Sequence, residues 1–489
     1  MGSPRWRDAI ASTRDACAPQ SAMTTTTTLN VPNEAENQFN WPLCYEAENS
    51  LLERISAFLE QNSFARILSE RMRDETGTIF IDWVDHLVLS PADETALRDV
   101  GFTDDPLGEN KSGLKALWHP EAMLPRVLLA KGDAKHPPAL AIRPEFVAEF
   151  AAVHGITNEI EGEPFSRFRK MLAFEENDAA FYAIERRGYR GYIPQPVDLK
   201  KFLAAREIWQ TRRRRWDRDV KGYAYSLERL QDVVDLVGPD LACHLVFEEE
   251  RAFWQKRNRA AIEQKRRQDS LGLGWANHDH HTFRSSRKHF VDLMKAWEML
   301  GFHRRERYYA GSQAGWGAQI VEQPIEGITI FNDVDLFSDE TEIDFSREPL
   351  SPEEKKLRTV GLWVGLHGES FLDAGMHHLE CRFDYELLRE QLAAAHIKTM
   401  APFSDFPFLK QAFTQGERWA VRPERITRLR TRGLLTEEQA QKFAHEGAIG
   451  SHLENLQRKG GFKGFNQKSV SVIIEATDPR KQDAVHKWA

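Results

Sequence analysis

The chain has 489 residues, with 66 Lys and Arg against 74 Asp and Glu and a formal charge of −8. At ~100–200 residues per domain this is several domains or one large domain with insertions, and 41% hydrophobic residues supply a core. The acidic balance argues against a nucleic-acid binder, and no apolar run reaches the ~18 residues of a membrane span. Four scattered cysteines (Cys17, Cys44, Cys243, Cys381) argue against a disulfide framework or an all-cysteine zinc site, which makes a reducing, cytoplasmic setting the default expectation.

Residues 1–45 read as a disordered leader: 1–22 lack the apolar stretch of a secretory signal, and 24–28 are all Thr. Leu51, Leu52, Ile55, Phe58, Leu59, Phe64, Ile67 and Leu68 recur at helical spacing, predicting a helix over 48–74 capped by Asn49 or Ser50. A β-rich run over 77–89 follows, then a short helix over 92–100, opened by Ser90-Pro91 and ended by Gly101-Phe102. With further strands over 120–129 and 138–142, residues 46–160 form an N-terminal helix and a first βαβ-type module. Residues 161–272 are rich in charge and aromatics at helical spacing and read as a helical insertion. The arginines at 212–215, close to Glu248, Glu249 and Glu250, predict a solvated, salt-bridged helix face.

Residues 273–345 predict a second module, βαβββ. A strand over 274–283 and an amphipathic helix over 286–300 are followed by short strands over 307–310, 317–323 and 327–332. The glycine-rich stretch from Gly311 to Gly317 reads as a hairpin turn. Residues 346–489 form a C-terminal α+β module with a partial third copy: strand 377–383, helix 385–396 and a late strand over 468–476. A long polar excursion over 403–464 interrupts it.

The chemistry-bearing signal is histidine on strands. In the run from Ala276 to Phe283, period two puts His278 and His280 on one face and His281 on the other. Glu322 sits in an apolar β-run, where a bare carboxylate is costly unless it is paired or metal-bound. His86 is a lone imidazole in another β-run. Two His and one carboxylate with open positions form the ligand set of non-haem Fe(II) oxygenases. His377, His378, Glu380 and Glu475 are competing ligands in the third copy.

Repeated βαβββ units carrying His and Glu resemble the vicinal oxygen chelate superfamily. More narrowly, three stretches resemble the 2-oxoadipate dioxygenase/decarboxylase (hydroxyglutarate synthase) family. They are His86 in Val-Asp-His-Leu-Val with Gly101-Phe102 after it, Asp279-His280-His281-Thr282-Phe283-Arg284, and Val321-Glu322-Gln323; Arg143-Pro144 adds a fourth, weaker match. The resemblance implies an α+β fold with a half-open β-barrel, a large helical insertion and an extra C-terminal segment. It implies Fe(II) on His86, His280 and Glu322, with Gln323 and His278 orienting those ligands. A 2-oxo acid and O2 would be the partners, with no nucleic acid and no membrane, and the acid would be decarboxylated and hydroxylated as one molecule. Arg143 and Arg284 are the expected carboxylate anchors. Ser90 stands where the family has a substrate-binding Arg, so an altered substrate is expected. The alternatives are a metal lyase, isomerase or ring-cleaving dioxygenase of the same fold, with ligands from His280, Glu322, His378 and Glu475, and a non-catalytic binding protein.

Overall fold

The computed structural model describes residues 41–107, 114–130, 138–311, 315–352, 356–466 and 478–480. Most of the expected leader, the late strand over 468–476 and Glu475 lie outside these residues.

The first of two sheets contains β1 (Val84–Leu89), β2 (Thr103–Asp104), β3 (Lys115–Trp118), β4 (Arg126–Leu129), β5 (Ala139–Ile142), β6 (Ile160–Glu161), β7 (Phe168–Glu176) and β8 (Ala179–Arg186). Their order is β2-β3-β4-β1-β5-β8-β7-β6. The second contains β9 (His278–Arg284), β10 (His303–Tyr309), β11 (Trp316–Gln323), β12 (Ile328–Asp335), β13 (His378–Arg382), β14 (Ser404–Phe406), β15 (Leu409–Phe413) and β17 (Ala448–Arg458). Their order is β10-β11-β12-β9-β13-β17-β15-β14, with β16 (Glu417–Trp419) on β17.

Each half-sheet is a βαβββ module. Helices Glu94–Asp99, Val147–His154, Phe290–Met299 and Tyr385–Ala394 follow β1, β5, β9 and β13. The first strand of each module pairs parallel with its last, in β1·β4, β5·β8, β9·β12 and β13·β17. Two modules then join antiparallel through β1·β5 and through β9·β13. The α+β architecture of repeated βαβββ units is as expected, with two modules in each sheet.

The N-terminal half departs from expectation in its boundaries. Helices Leu199–Gln210, Asp219–Val237, Pro239–Gln255 and Arg259–Asp269 make up the helical segment, so the boundary at 161 is corrected: β7 and β8 complete the second module. Those strands form a hairpin turning at Asn177 and Asp178, both at positive φ (50° and 59°), as right-twisted two-residue hairpins prefer. The single helix over 48–74 is two, Tyr45–Gln61 and Ser63–Thr76. Asn62 breaks it, because its extended backbone lets Oδ1 accept from Ala65 N while Nδ2 donates to Ala179 O, both at 3.0 Å.

Alternation divides each strand between two environments. Leu87, Leu140 and Phe181 of the first sheet pack with Leu51, Ile55, Phe58 and Phe150 of the helices. Phe283, Leu379 and Leu453 of the second pack with Phe247, Trp254 and Trp297. The opposite face of the second sheet carries His280, Glu380 and Glu454, while that of the first carries His86 with Val88, Ala141 and Tyr182. The arginines at 212–215 are only in part a solvated face: Arg213 and Arg215 are exposed, but Arg212 and Arg214 are drawn in around buried Glu250, with Nη2 of each at 2.8 and 2.7 Å from its Oε1. A buried acid needs such compensation.

Candidate metal centre

β9, β13 and β17 are neighbours in the middle of the second sheet. His280 pairs with Glu380 and Thr282 with His378 across β9·β13; His378 pairs with His452 and Glu380 with Glu454 across β13·β17. Residues in register share a face. One side of the sheet therefore carries His280, Thr282, Arg284, His378, Glu380, His452 and Glu454. His281 turns the other way and meets Phe247 edge-on, ring centroids 5.0 Å apart.

Ligand atoms of His280, His378 and Glu454 lie within 4.8 Å of one another, and all three residues are buried. His280 Nδ1 lies 3.0 Å from Glu380 Oε1, which leaves Nε2 as the free ring nitrogen. His378 Nε2 is 3.2 Å from Glu454 Oε2 and 2.8 Å from Thr282 Oγ1. Gln411 Nε2 donates to Glu454 Oε1 at 3.2 Å and Glu380 Oε2 at 3.3 Å, bridging the two acids. A second group, Asp279, His280 and Glu380, is also close, but Asp279 is already engaged by the guanidinium of Arg458 at 3.0 and 2.9 Å.

The electrostatics fit a cation. Burial and the neighbouring Glu380 push Glu454 well above the usual carboxylate range. Burial opposes charge on His280, yet Glu380 and Asp279 outweigh it and lift the imidazole to about 9. Burial, reinforced by His280, holds His378 well below the ordinary histidine value. Protons on His280 and Glu454 balance this buried cluster, and a divalent ion would take their place.

A cavity of about 60 Å³ opens beside the triad. Trp316 of β11, Phe331 and Asp333 of β12 and Phe413 of β15 line it together with the triad, so strands from both modules of this sheet curl around one space. Arg284 lines it too. Its Nε is 3.5 Å from Asp333 Oδ2, its guanidinium lies over Trp363, and Nη1 has no partner among the described residues. Burial lifts Asp333 to about 6 despite Arg284.

The expected set His86, His280 and Glu322 is corrected, because the fold does not bring it together. His86 lies on β1 of the other sheet. Register equivalence puts His86 where the second sheet has His280, Ala139 where it has His378, and Tyr182 where it has Glu454. The first sheet thus keeps one ligand position of three. Its His86 is spent on Asp85, Nδ1 to Oδ2 at 2.6 Å, and on Tyr192, which it meets edge-on. Glu322 pairs with Thr329, which pairs with His280. Two strand spacings, about 9–10 Å, separate it from the triad.

The other expected residues have structural partners. Arg143 lies beyond β5 and meets Glu326 at 3.5 Å. Exposed Ser90 caps the turn Pro91–Asp93, accepting from Ala92 N at 3.3 Å. Gln323 donates to Asp240 Oδ1 at 2.7 Å and accepts from Glu326 N at 2.6 Å. His278 does not share the His280 face: the register shifts beside it, Nδ1 lies 3.0 Å from Trp275 O, and its ring meets His281. Glu454, Gln411 and Asp333 were not expected. The signal for the first was His452 and Glu454 two residues apart, either side of Leu453, within a stretch read as polar excursion.

The chain matches no protein-family model and no curated protein sequence. Among solved structures it is similar to a triply substituted 4-hydroxymandelate synthase from Streptomyces coelicolor, at 12% identity over 82% of this chain and 98% of that one, TM-score 0.28. Methylmalonyl-CoA epimerase from Mycobacterium tuberculosis matches at 11% identity over 37% of this chain and 88% of that one, TM-score 0.21. A xylose isomerase-like TIM barrel/4-hydroxyphenylpyruvate dioxygenase fusion protein matches at 12% identity over 89% of this chain and 57% of that one, TM-score 0.22. No helix among the described residues is long and apolar enough to cross a membrane.

Proposed function

We propose that the protein is a non-haem iron oxygenase acting on a 2-oxo acid, with His280, His378 and Glu454 holding one Fe(II). The observation that carries this reading is the convergence of two imidazoles and one carboxylate, from three adjacent strands, on one point. Bound by this set, Fe(II) would supply the joint activation of O2 and a chelating 2-oxo acid.

The chain's own residues do the rest. Asp279 holds the His280 ring through Nδ1 with Glu380 beside it, and Gln411 holds Glu380 and Glu454 at a set spacing, as outer partners of metal ligands do. Arg284 offers an unpartnered N–H to a substrate carboxylate, where a guanidinium fork matches two oxygens. Asp333 sits beside it, able to hold or release a proton at its carboxylate oxygen near neutral pH. Phe331, Phe403, Phe413 and Phe465 wall the cavity and exclude water. In this reading the same molecule is decarboxylated and hydroxylated. A cytoplasmic setting belongs to it, in keeping with the buried free thiols of Cys243 and Cys381.

The test is O2 uptake and CO2 release by anaerobically prepared, Fe(II)-loaded protein across a panel of 2-oxo acids. Coupled consumption and release with one of them is expected. Bound iron without oxygen-dependent turnover of any would replace this reading by a metal lyase or isomerase.

A further inference from the structure

We infer that a second cleft, of about 340 Å³ and separate from the metal cavity, binds a phosphate-bearing small molecule. Two helix starts open into it. Asp217, Arg218 and Asp219 stand at the head of helix Asp219–Val237, and Ser286, Lys288 and His289 at the head of helix Phe290–Met299. Neither start carries a side-chain cap. Apart from Lys221 N–H, which donates to Arg218 O, the first N–H groups form the free positive ends of the two helix dipoles, an arrangement suited to phosphate.

Helix Pro423–Thr431 forms the facing wall and brings Arg425, Arg428 and, just past its end, Arg432. Arg425 is the built-in element. It is 5% exposed, and its Nε has no hydrogen-bond partner. Its Nη2 lies 3.4 Å from Asp373 Oδ2, but that carboxylate also serves Arg215 and Arg422. Asp219 also faces Arg425, so two acids stand among three guanidiniums and one positive charge is left over. The side chains of Arg218, Lys288 and Arg428, which line the cleft, have no ion pair or hydrogen bond among the described residues.

The acids of the cleft do not cancel this. Glu369 is occupied by Ser285 Oγ at 2.9 Å, Tyr223 Oη at 3.1 Å and Ser286 N at 3.2 Å. Asp217, Asp219 and Glu369 stand against five Arg and Lys side chains lining the cleft. His289 stacks on Tyr223 and has Nδ1 near Asp292 Oδ2, leaving Nε2 as its free ring nitrogen. Leu357, Val364 and Leu429 add an apolar wall, and the volume falls within the range of small-molecule sites. A phosphate ester fits this division: its tetrahedral head takes donors from several directions, and its body lies on the apolar side. The inference is independent of the iron reading.

The test is calorimetric titration of the intact chain with inorganic pyrophosphate, with succinate at equal ionic strength alongside. Saturable pyrophosphate binding is expected. Lys288→Ala and Arg428→Ala should each weaken it about tenfold, the cost of one charge-assisted hydrogen bond. Lys288→Arg should retain it. So should Arg430→Ala, on the same helix but paired with Glu437. Thermal melts establish that each variant is folded. No saturable binding at millimolar pyrophosphate, binding indifferent to both Lys288→Ala and Arg428→Ala, or equal binding of succinate would each overturn the proposal.

Discussion

Arg458 grips Asp279 over the intervening strand β13 with two parallel hydrogen bonds, Nε to Oδ2 at 3.0 Å and Nη2 to Oδ1 at 2.9 Å. Its third arm, Nη1, donates to the carbonyls of Phe462 and Gly464 and so ties down the chain leaving β17. The first sheet repeats the arrangement. Arg186 holds Asp85 at 2.7 and 2.9 Å and donates to the carbonyls of Tyr189 and Gly191 after β8. In both sheets the aspartate precedes a histidine and faces its Nδ1. The clamp is duplicated; the candidate group of His280, His378 and Glu454 is not.

Asp279→Ala should be among the most damaging single changes. It strands Arg458 in the interior, and breaking one side of a buried ion pair costs about 3–5 kcal/mol. Urea unfolding measures that loss. Metal affinity should also fall about 10–100-fold, because His280 loses an outer partner.

His86→Ala should leave iron content unchanged. It removes the hydrogen bond to Asp85 and the edge contact with Tyr192, so stability should drop by about 1–3 kcal/mol. A pair of measurements, metal analysis and a denaturation curve, separates the two effects.

Arg284→Ala should weaken binding of the 2-oxo acid about 10–100-fold while iron remains stoichiometric. Anaerobic titration of the iron-loaded protein reads this directly. Arg284→Lys should recover part of the affinity, since it keeps the charge and loses the fork.

Glu326 gives the acid limb of stability. Burial raises its carboxyl, but His244, Arg143 and the backbone N–H of Gly188 together hold it down to about 2, against an ordinary 4.5. A folded value below the unfolded one gives stability that is present above pH 4.5 and lost as pH falls towards about 2. The contribution at neutral pH is roughly 3 kcal/mol. Glu326→Gln should flatten the slope of unfolding free energy against pH across that window.

The second sheet was the more legible in the sequence. His280 stood out because three imidazoles in four residues need a reason, and alternation separated it from His281. The partner strands were harder to read. β17 carries Ser451, His452, Glu454 and Asn455 among Ile449, Leu453 and Leu456, so a strand whose inner face is a polar site loses the apolar alternation that marks strands. His378 was visible only as a competitor. The first sheet misled for a physical reason. Val84-Asp85-His86-Leu87-Val88 has the local chemistry of a ligand strand, because it serves the same clamp. The residues in register with His378 and Glu454, Ala139 and Tyr182, lie on strands whose pairing no local pattern reveals. Glu322 failed through distance: strand adjacency cannot be counted along the chain when β12 inserts between β11 and β9.

The account rests on which residues hold the ion. Metal analysis of anaerobically Fe(II)-loaded protein should give one equivalent per chain for the unaltered protein, His86→Ala and Glu322→Ala, and a near-complete loss for His280→Ala, His378→Ala and Glu454→Ala. Iron retained by His378→Ala and Glu454→Ala but lost with His86→Ala would contradict it.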